Sequence, residues 1–171
     1  MLTIALPKGR IAEETLDKFE KAFGEKFIFE DRKLILEKAG FRFLNVRNQD
    51  VPTYVMHGAA DLGVVGLDVL EEKEYDLIKL LDLQLGKCKV AFGLRKGEEL
   101  NFNKSKITIA TKHEVIAKKF FEQKAMAVEI IKLYGSIELA PLVGLCDCIV
   151  DIVETGETMK QNGLEIGPTI M

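Results

Sequence analysis

The sequence has no tryptophan, two histidines and three cysteines. An odd set of thiols at 88, 146 and 148, without framework spacing, excludes a disulfide-stapled secreted domain and points to a reducing cytoplasm. Cys146 and Cys148 form a C-x-C pair that would share one face of a strand. A metal centre needs two more ligands, and His57, His113 and Cys88 lie far off in the sequence, so both thiols read as small core residues. Basic residues are not in excess: 24 stand against 27 acidic ones, a net charge of -3. That balance argues against a nucleic-acid or membrane-surface binder, yet leaves room for a local basic cluster around a small anion. No apolar run approaches the roughly 18 residues of a membrane span. The start, MLTIALPKGR, places apolar before basic residues, the reverse of a secretory signal. Repeats and low-complexity segments are absent.

What is present is 171 residues, 47% apolar and 30% charged, with ten phenylalanines. Such a chain can bury a real core in one ordinary domain or two small ones. Strand-length apolar runs alternate with helical patterns. Strands are expected at 2–6, 41–46, 61–66, 76–81, 87–94, 106–110, 127–131 and 148–153. Between them, Ala12, Leu16, Phe19 and Phe23 recur at helical spacing up to a stop at Gly24. Further helices are expected after Asp50 with Pro52 in the first turn, at 67–72, at 113–123 and at 136–142. This alternation predicts mainly parallel sheets covered on both faces. The strand count is high for one small sheet, and the polar stretch 95–105 interrupts the pattern, so two α/β lobes joined near 86–105 are expected. Ligands in such folds bind beyond the carboxyl ends of strands and between lobes.

Three loops stand in that position. In 150–159 (VDIVETGETM) a strand ends in acidic residues and runs into Thr-Gly-x-Thr. Backbone N–H groups around Gly156, with the Thr155 and Thr158 hydroxyls, can cradle a phosphate. Asp151 and Glu154 make sense if that phosphate hangs from a sugar whose hydroxyls need acceptors, or if Mg²⁺ is near. A polar turn with Thr155 as N-cap is the plainer alternative. In Pro7-Lys8-Gly9-Arg10 two cations at a helix start oppose the dipole unless an anion lies between them, the alternative being a solvated turn. Arg32 is a third cation, by itself an ordinary surface arginine. The third loop holds Gly135 and Ser136, the latter a plausible helix N-cap. His57 and His113 show no pattern of a nucleophilic triad and read as structural or surface residues.

Taken together, LPKGR at 6–10, DVPTYVMHGAADLGVVGLDVL at 50–70, IATKH at 109–113 and IIKLYGSIELAPLVGLCDCIVDIVETGETMKQNGLE at 130–165 resemble the ATP phosphoribosyltransferases. The last segment is the most specific, with Glu138, Gly144, Asp151, Thr155, Gly156 and Thr158 at the family's spacing. Two departures are Cys146, where small residues are usual, and Leu67, often lysine. The resemblance implies two α/β lobes similar to type II periplasmic binding proteins, with the active site in the interlobe cleft. It implies lobes at 1–90 and 91–163, and 164–171 as the start of a return to the first lobe, cut short, with an apolar patch left on that lobe.

The implied reaction is the first step of histidine biosynthesis: N1 of ATP attacks C1′ of 5-phosphoribosyl pyrophosphate, pyrophosphate leaves, and Mg²⁺ travels with the pyrophosphate rather than on protein ligands. By matching position, Glu154, Thr155, Gly156, Glu157 and Thr158 would hold the 5′-phosphate, Asp151 the ribose hydroxyls, and Gly135 and Ser136 would line the substrate site. Lys8, Arg10 and Arg32 would serve catalysis at the pyrophosphate. The resemblance is to the short-form catalytic subunit, which works with a regulatory subunit related to histidyl-tRNA synthetase. Another class of function, a non-catalytic two-lobed binding module for a phosphorylated or carboxylate metabolite, fits the same loops less well, because an anion sensor has no use for ribose acceptors.

Overall fold

In the computed structural model, which describes residues 1–171, the run Ile4-Ala5-Leu6 is buried at the centre of strand β1 (Leu2–Pro7). Burial on both sides of an unbroken apolar run is the mark of a central strand with parallel neighbours. Accordingly β1 pairs parallel with β3 (Phe41–Val46) and with the short β4 (Leu62–Gly63), while β2 (Ile35–Lys38) adds antiparallel to β3, giving the order β2-β3-β1-β4. Helix α1 (Arg10–Phe23) turns Ala12, Thr15 and Leu16 inward. It ends where Gly24 adopts a left-handed conformation, its N–H donating to Glu20 O at 2.8 Å. Phe19 of α1 meets Phe43 of β3 edge to face, centroids 5.0 Å apart, and Phe27 joins the same cluster. Each such pair contributes about 0.5–1.5 kcal/mol beyond its buried area. A 3-10 turn (Asn48–Asp50) leads into α2 (Val51–Met56), and α3 (Leu67–Lys73) follows β4.

The second unit has the sheet order β7-β6-β8-β5-β9. Strands β6 (Ile107–Thr111), β7 (Val128–Lys132) and β8 (Cys148–Val153) run parallel, whereas β5 (Lys89–Arg95) and β9 (Leu164–Thr169) join antiparallel. Alternating residues fill two cores. Phe92, Ile109, Cys148 and Val150 pack with Ile116, Ala117 and Phe121 of α4 (Glu114–Gln123) on one face. Ala91, Ala110 and Ile149 pack with Ala140 of α5 (Leu139–Leu142) and Met159 of α6 (Glu157–Gln161) on the other. Period-two alternation with both faces covered explains why these strands read as continuous apolar runs.

Several expectations are corrected. The chain divides after Gly86, into Met1–Gly86 and Lys87–Met171, rather than at 90. Residues 164–171, expected to begin a return to the first lobe, stay with the second unit: Leu164–Thr169 form β9, paired antiparallel with β5 across a register shift between Ala91 and Gly93. The stretch 95–105 holds the last residue of β5 and most of its connection to β6, inside the second unit. Residues 76–81 are no strand: Ile78 and Leu81 are 86% and 78% exposed, and no ladder reaches them. Strand β2 was not anticipated, its residues being mostly exposed at a sheet edge. Parallel pairing holds for β1–β3, β1–β4, β6–β7 and β6–β8, with antiparallel strands only toward the edges.

Candidate active site

Because β6, β7 and β8 are parallel neighbours, the loops after them emerge at one end of the second sheet. After β8 comes Glu154-Thr155-Gly156. Gly156 sits at φ 80°, a conformation that suits glycine, and a Cβ there would lie 2.2 Å from Ile166 Cδ1. Gly156 O accepts from Lys160 N at 3.1 Å, and Thr155 Oγ1 accepts from Glu157 N at 3.3 Å. Helix α6 therefore starts one residue past Gly156, which is itself the cap, so Thr155 is not the N-cap. Met159, the buried residue of α6, anchors the turn, while Glu154, Thr155, Glu157 and Thr158 are exposed.

Asp151, three residues before Glu154, is set into the sheet end with its side chain 14% exposed. Its Oδ1 accepts the Ile152 N–H at 2.8 Å and faces Lys112 Nζ at 3.1 Å. Nε2 of His113 stands 3.7 Å from the same oxygen. Burial, the strongest influence, would raise the Asp151 carboxyl. The facing His113 imidazole, the Lys112 charge and the Ile152 N–H together outweigh it and hold the group below its ordinary 3.8. Lys112 and His113 had no role assigned from the sequence. The available signal was position: they directly follow β6, whose register with β8 (Thr111 opposite Val150) carries Lys112 to Asp151.

The loop after β7 brings Gly135 and Ser136 to this same end, both exposed. Ser136 is not the expected N-cap, since it is left-handed at φ 49° and α5 begins only at Leu139. Its carbonyl instead accepts from Leu139 N at 3.2 Å.

In the first unit, β1 and β3 end side by side, and β2 starts beside the end of β3. Lys8 and Arg10 follow β1, Arg32 precedes β2, and so the three cations share one end of that sheet. Lys8 N donates to Val46 O at 2.8 Å, and Gly9 turns the chain at φ 95°. Arg10 Nε pairs with Glu14 Oε1 at 3.2 Å along the helix. Arg32 is held left-handed at φ 58°, a strained setting for a long side chain. Two residues unnoticed in the sequence join this end: Arg47, exposed just past β3, and Asn45, whose Oδ1 is buried without a hydrogen-bond partner.

No group of three His, Cys, Asp or Glu side chains is arranged to hold a metal ion. Cys146 and Cys148 are buried and Cys88 is exposed, and none of the three is in a disulfide. Burial pushes the Cys146 thiol up and the Cys148 thiol to about 12. No helix is long and apolar enough to cross a membrane.

Two α/β units, each with glycine-bearing loops and charged side chains at the carboxyl ends of parallel strands, define a class of protein that takes small anionic ligands at those ends. Comparison with known proteins narrows the class. The ATP phosphoribosyltransferase family model matches residues 47–171. Relatives named ATP phosphoribosyltransferase include those of Wolinella succinogenes, 70% identical, and Sulfurovum sp., 67% identical. Each of the two aligns with all of this chain and 83% of its own length. The solved ATP phosphoribosyl transferase (HisG:HisZ) complex from Thermotoga maritima superposes with a TM-score of 0.81 at 40% identity, covering 99% of this chain and 82% of that one. A substrate binding protein of an amino acid ABC transporter, at 13% identity and a TM-score of 0.56 over 96% of this chain and 76% of that one, shares the fold alone. The chain belongs to the ATP phosphoribosyltransferase family.

Proposed function

We propose that the loops of the second unit hold the phosphoribosyl half of 5-phosphoribosyl pyrophosphate and that the cations of the first unit act on its pyrophosphate. The enzyme transfers the 5-phosphoribosyl group to N1 of ATP, giving N1-(5-phosphoribosyl)-ATP and pyrophosphate, the first step of histidine biosynthesis. The observation that carries the assignment is Asp151: a mostly buried carboxylate, kept ionised, at the end of the strand that leads into Gly156. An ionised acceptor next to an anion cradle suits a sugar phosphate, whose hydroxyls donate while its phosphate accepts.

The 5′-phosphate takes N–H groups around Gly156 and the hydroxyls of Thr155 and Thr158, between Glu154 and Glu157. Gly135 and Ser136, at the same sheet end, line the substrate. The adenine nitrogen is already a nucleophile, so the attacking atom needs no general base. The N1–C1′ bond forms as C1′–O breaks, and the electron pair leaves with pyrophosphate. Lys8, Arg10 and Arg32 stabilise the charge that develops on the leaving group, arginine by gripping two oxygens at once. A divalent ion, Mg²⁺, fits as a passenger on the pyrophosphate oxygens, where it would neutralise charge; this chain's own side chains form no cluster for it.

The likeness to a chain of the HisG:HisZ complex supports the short-form reading, with a regulatory subunit related to histidyl-tRNA synthetase as partner. Three cysteines outside any disulfide suit the cytoplasm. The test supplies ATP, 5-phosphoribosyl pyrophosphate and Mg²⁺ and follows the product's ultraviolet absorbance, with and without that partner. Product formation is expected, and its absence under both conditions would leave only a binding role for the site.

A further inference from the structure

His113 follows directly on β6, and its backbone is tied to β8. Its N–H donates to Thr111 Oγ1 at 2.9 Å, and that hydroxyl donates to Val150 O at 2.6 Å. The imidazole is thereby held against β8 with its side chain only 7% exposed. Its Nε2 is buried, has no hydrogen-bond partner, and faces Asp151 Oδ1 at 3.7 Å. A buried polar atom of this kind is rare and unfavourable in folded proteins. The oxygen in front of it lies just beyond hydrogen-bonding distance. That same oxygen already accepts the Ile152 N–H at 2.8 Å and faces Lys112 Nζ at 3.1 Å. The closest approaches of three residues, Ile152, Lys112 and His113, thus converge on Oδ1.

We infer that His113 is a positioning residue for Asp151: protonated at Nε2, it closes onto Oδ1 and leaves Oδ2 to accept from the ribose hydroxyls of the substrate. The inference rests on the reading of Asp151 as the ribose acceptor. Lys112, on a flexible stem 35% exposed, supplies charge but little direction. The buried ring supplies the direction, since neither its backbone nor its surroundings leave it free to turn away. His113 touches no substrate, and its effect passes through the carboxylate.

The test uses the full chain with His113→Leu, His113→Gln and Asp151→Asn, titrated calorimetrically with 5-phosphoribosyl pyrophosphate and, separately, with ATP. Leucine keeps volume and removes the donor; glutamine puts an amide N–H near the former Nε2. His113→Leu is expected to weaken phosphoribosyl pyrophosphate binding about tenfold, the effect of one lost charge-assisted hydrogen bond, and to leave ATP binding unchanged. His113→Gln should recover most of the loss. Wild-type affinity in His113→Leu, or no recovery in His113→Gln, overturns the role of His113 while Asp151→Asn still binds weakly. Should Asp151→Asn itself bind normally, the ribose reading of Asp151 falls, and this inference with it. Nitrogen NMR of the wild-type imidazoles decides the matter however the leucine variant folds, because only exposed His57 shares the spectrum. Nε2 of His113 must carry a proton and its signal must move in Asp151→Asn; an Nδ1–H tautomer overturns the assignment.

Discussion

Lys112 Nζ lies 3.1 Å from Asp151 Oδ1, the lysine reaching across from the end of β6 to the neighbouring parallel strand β8. The pair is asymmetric in exposure, 35% for the lysine and 14% for the aspartate, so the carboxylate carries most of the desolvation and the ammonium stays partly hydrated. The ion pair offsets part of the cost of burying the carboxylate charge.

Lys112→Met tests that offset through pH. The folded Asp151 carboxyl is held below its ordinary 3.8, so its stabilising contribution is complete above about pH 3.8 and is lost as pH falls through the lowered folded value. Without the lysine charge the folded value rises toward the ordinary one. The variant should therefore be less stable than wild type by about 0.5–1 kcal/mol near pH 7, after screening, with the gap closing in acid. Urea unfolding at pH 7 and below pH 3.8 measures it; a gap that widens in acid contradicts the assignment.

Gly156→Ala should damage both the loop and the edge of the sheet. Its φ of 80° costs an L side chain about 1–2 kcal/mol, and the new methyl would meet Ile166 Cδ1 at 2.2 Å. Thermal unfolding is expected several degrees below wild type, with weaker binding of 5-phosphoribosyl pyrophosphate. Adding Ile166→Ala should relieve the steric part but not the backbone part, so the double variant remains the weaker binder.

Arg32 separates strain from function. At φ 58°, Arg32→Gly should fold at least as stably as wild type, because glycine accepts that conformation without penalty. Turnover should nonetheless fall by roughly 10²–10³, as when a group stabilising transition-state charge is removed, with a smaller effect on substrate binding. Arg10→Ala should behave alike in turnover, although its pairing with Glu14 adds a small helix contribution of about 0.3–0.5 kcal/mol. Near-wild-type turnover in both variants sinks their assignment.

The three thiols should differ sharply in reactivity. Cys88 is exposed, whereas Cys146 and Cys148 are buried with raised thiol values, Cys148 at about 12. A disulfide reagent at pH 8 is expected to label Cys88 alone in the folded protein and the other two only after denaturation. Fast labelling that survives Cys88→Ser would show the second sheet to be less well packed than described.

Much of the fold was legible along the chain because its signals are local. Buried parallel strands such as β1 and β8 announce themselves as apolar runs, α1 and α4 as stripes at helical spacing, and Gly24 as a helix stop. Edge elements were less legible. Strand β2 and the chain end that becomes β9 carry few buried residues, since an edge is defined by backbone bonds to a neighbour rather than by side chains. The run 76–81 shows the converse, apolar residues without a partner strand.

The site divides along the same line. The glycine-bearing loop at 154–158, Asp151 and the cations Lys8, Arg10 and Arg32 could be picked out in the sequence as candidates by residue type and loop position, and the resemblance to the family rested on the order of those segments. That Lys112 and His113 belong with Asp151 was decided only by tertiary structure, because adjacency of β6 and β8 depends on a crossover through α4, β7 and α5 that no local pattern specifies. The charge state of Asp151 was settled there too. A carboxylate's ionisation depends on which burial and which donors surround it, and those arrive from residues distant in the chain.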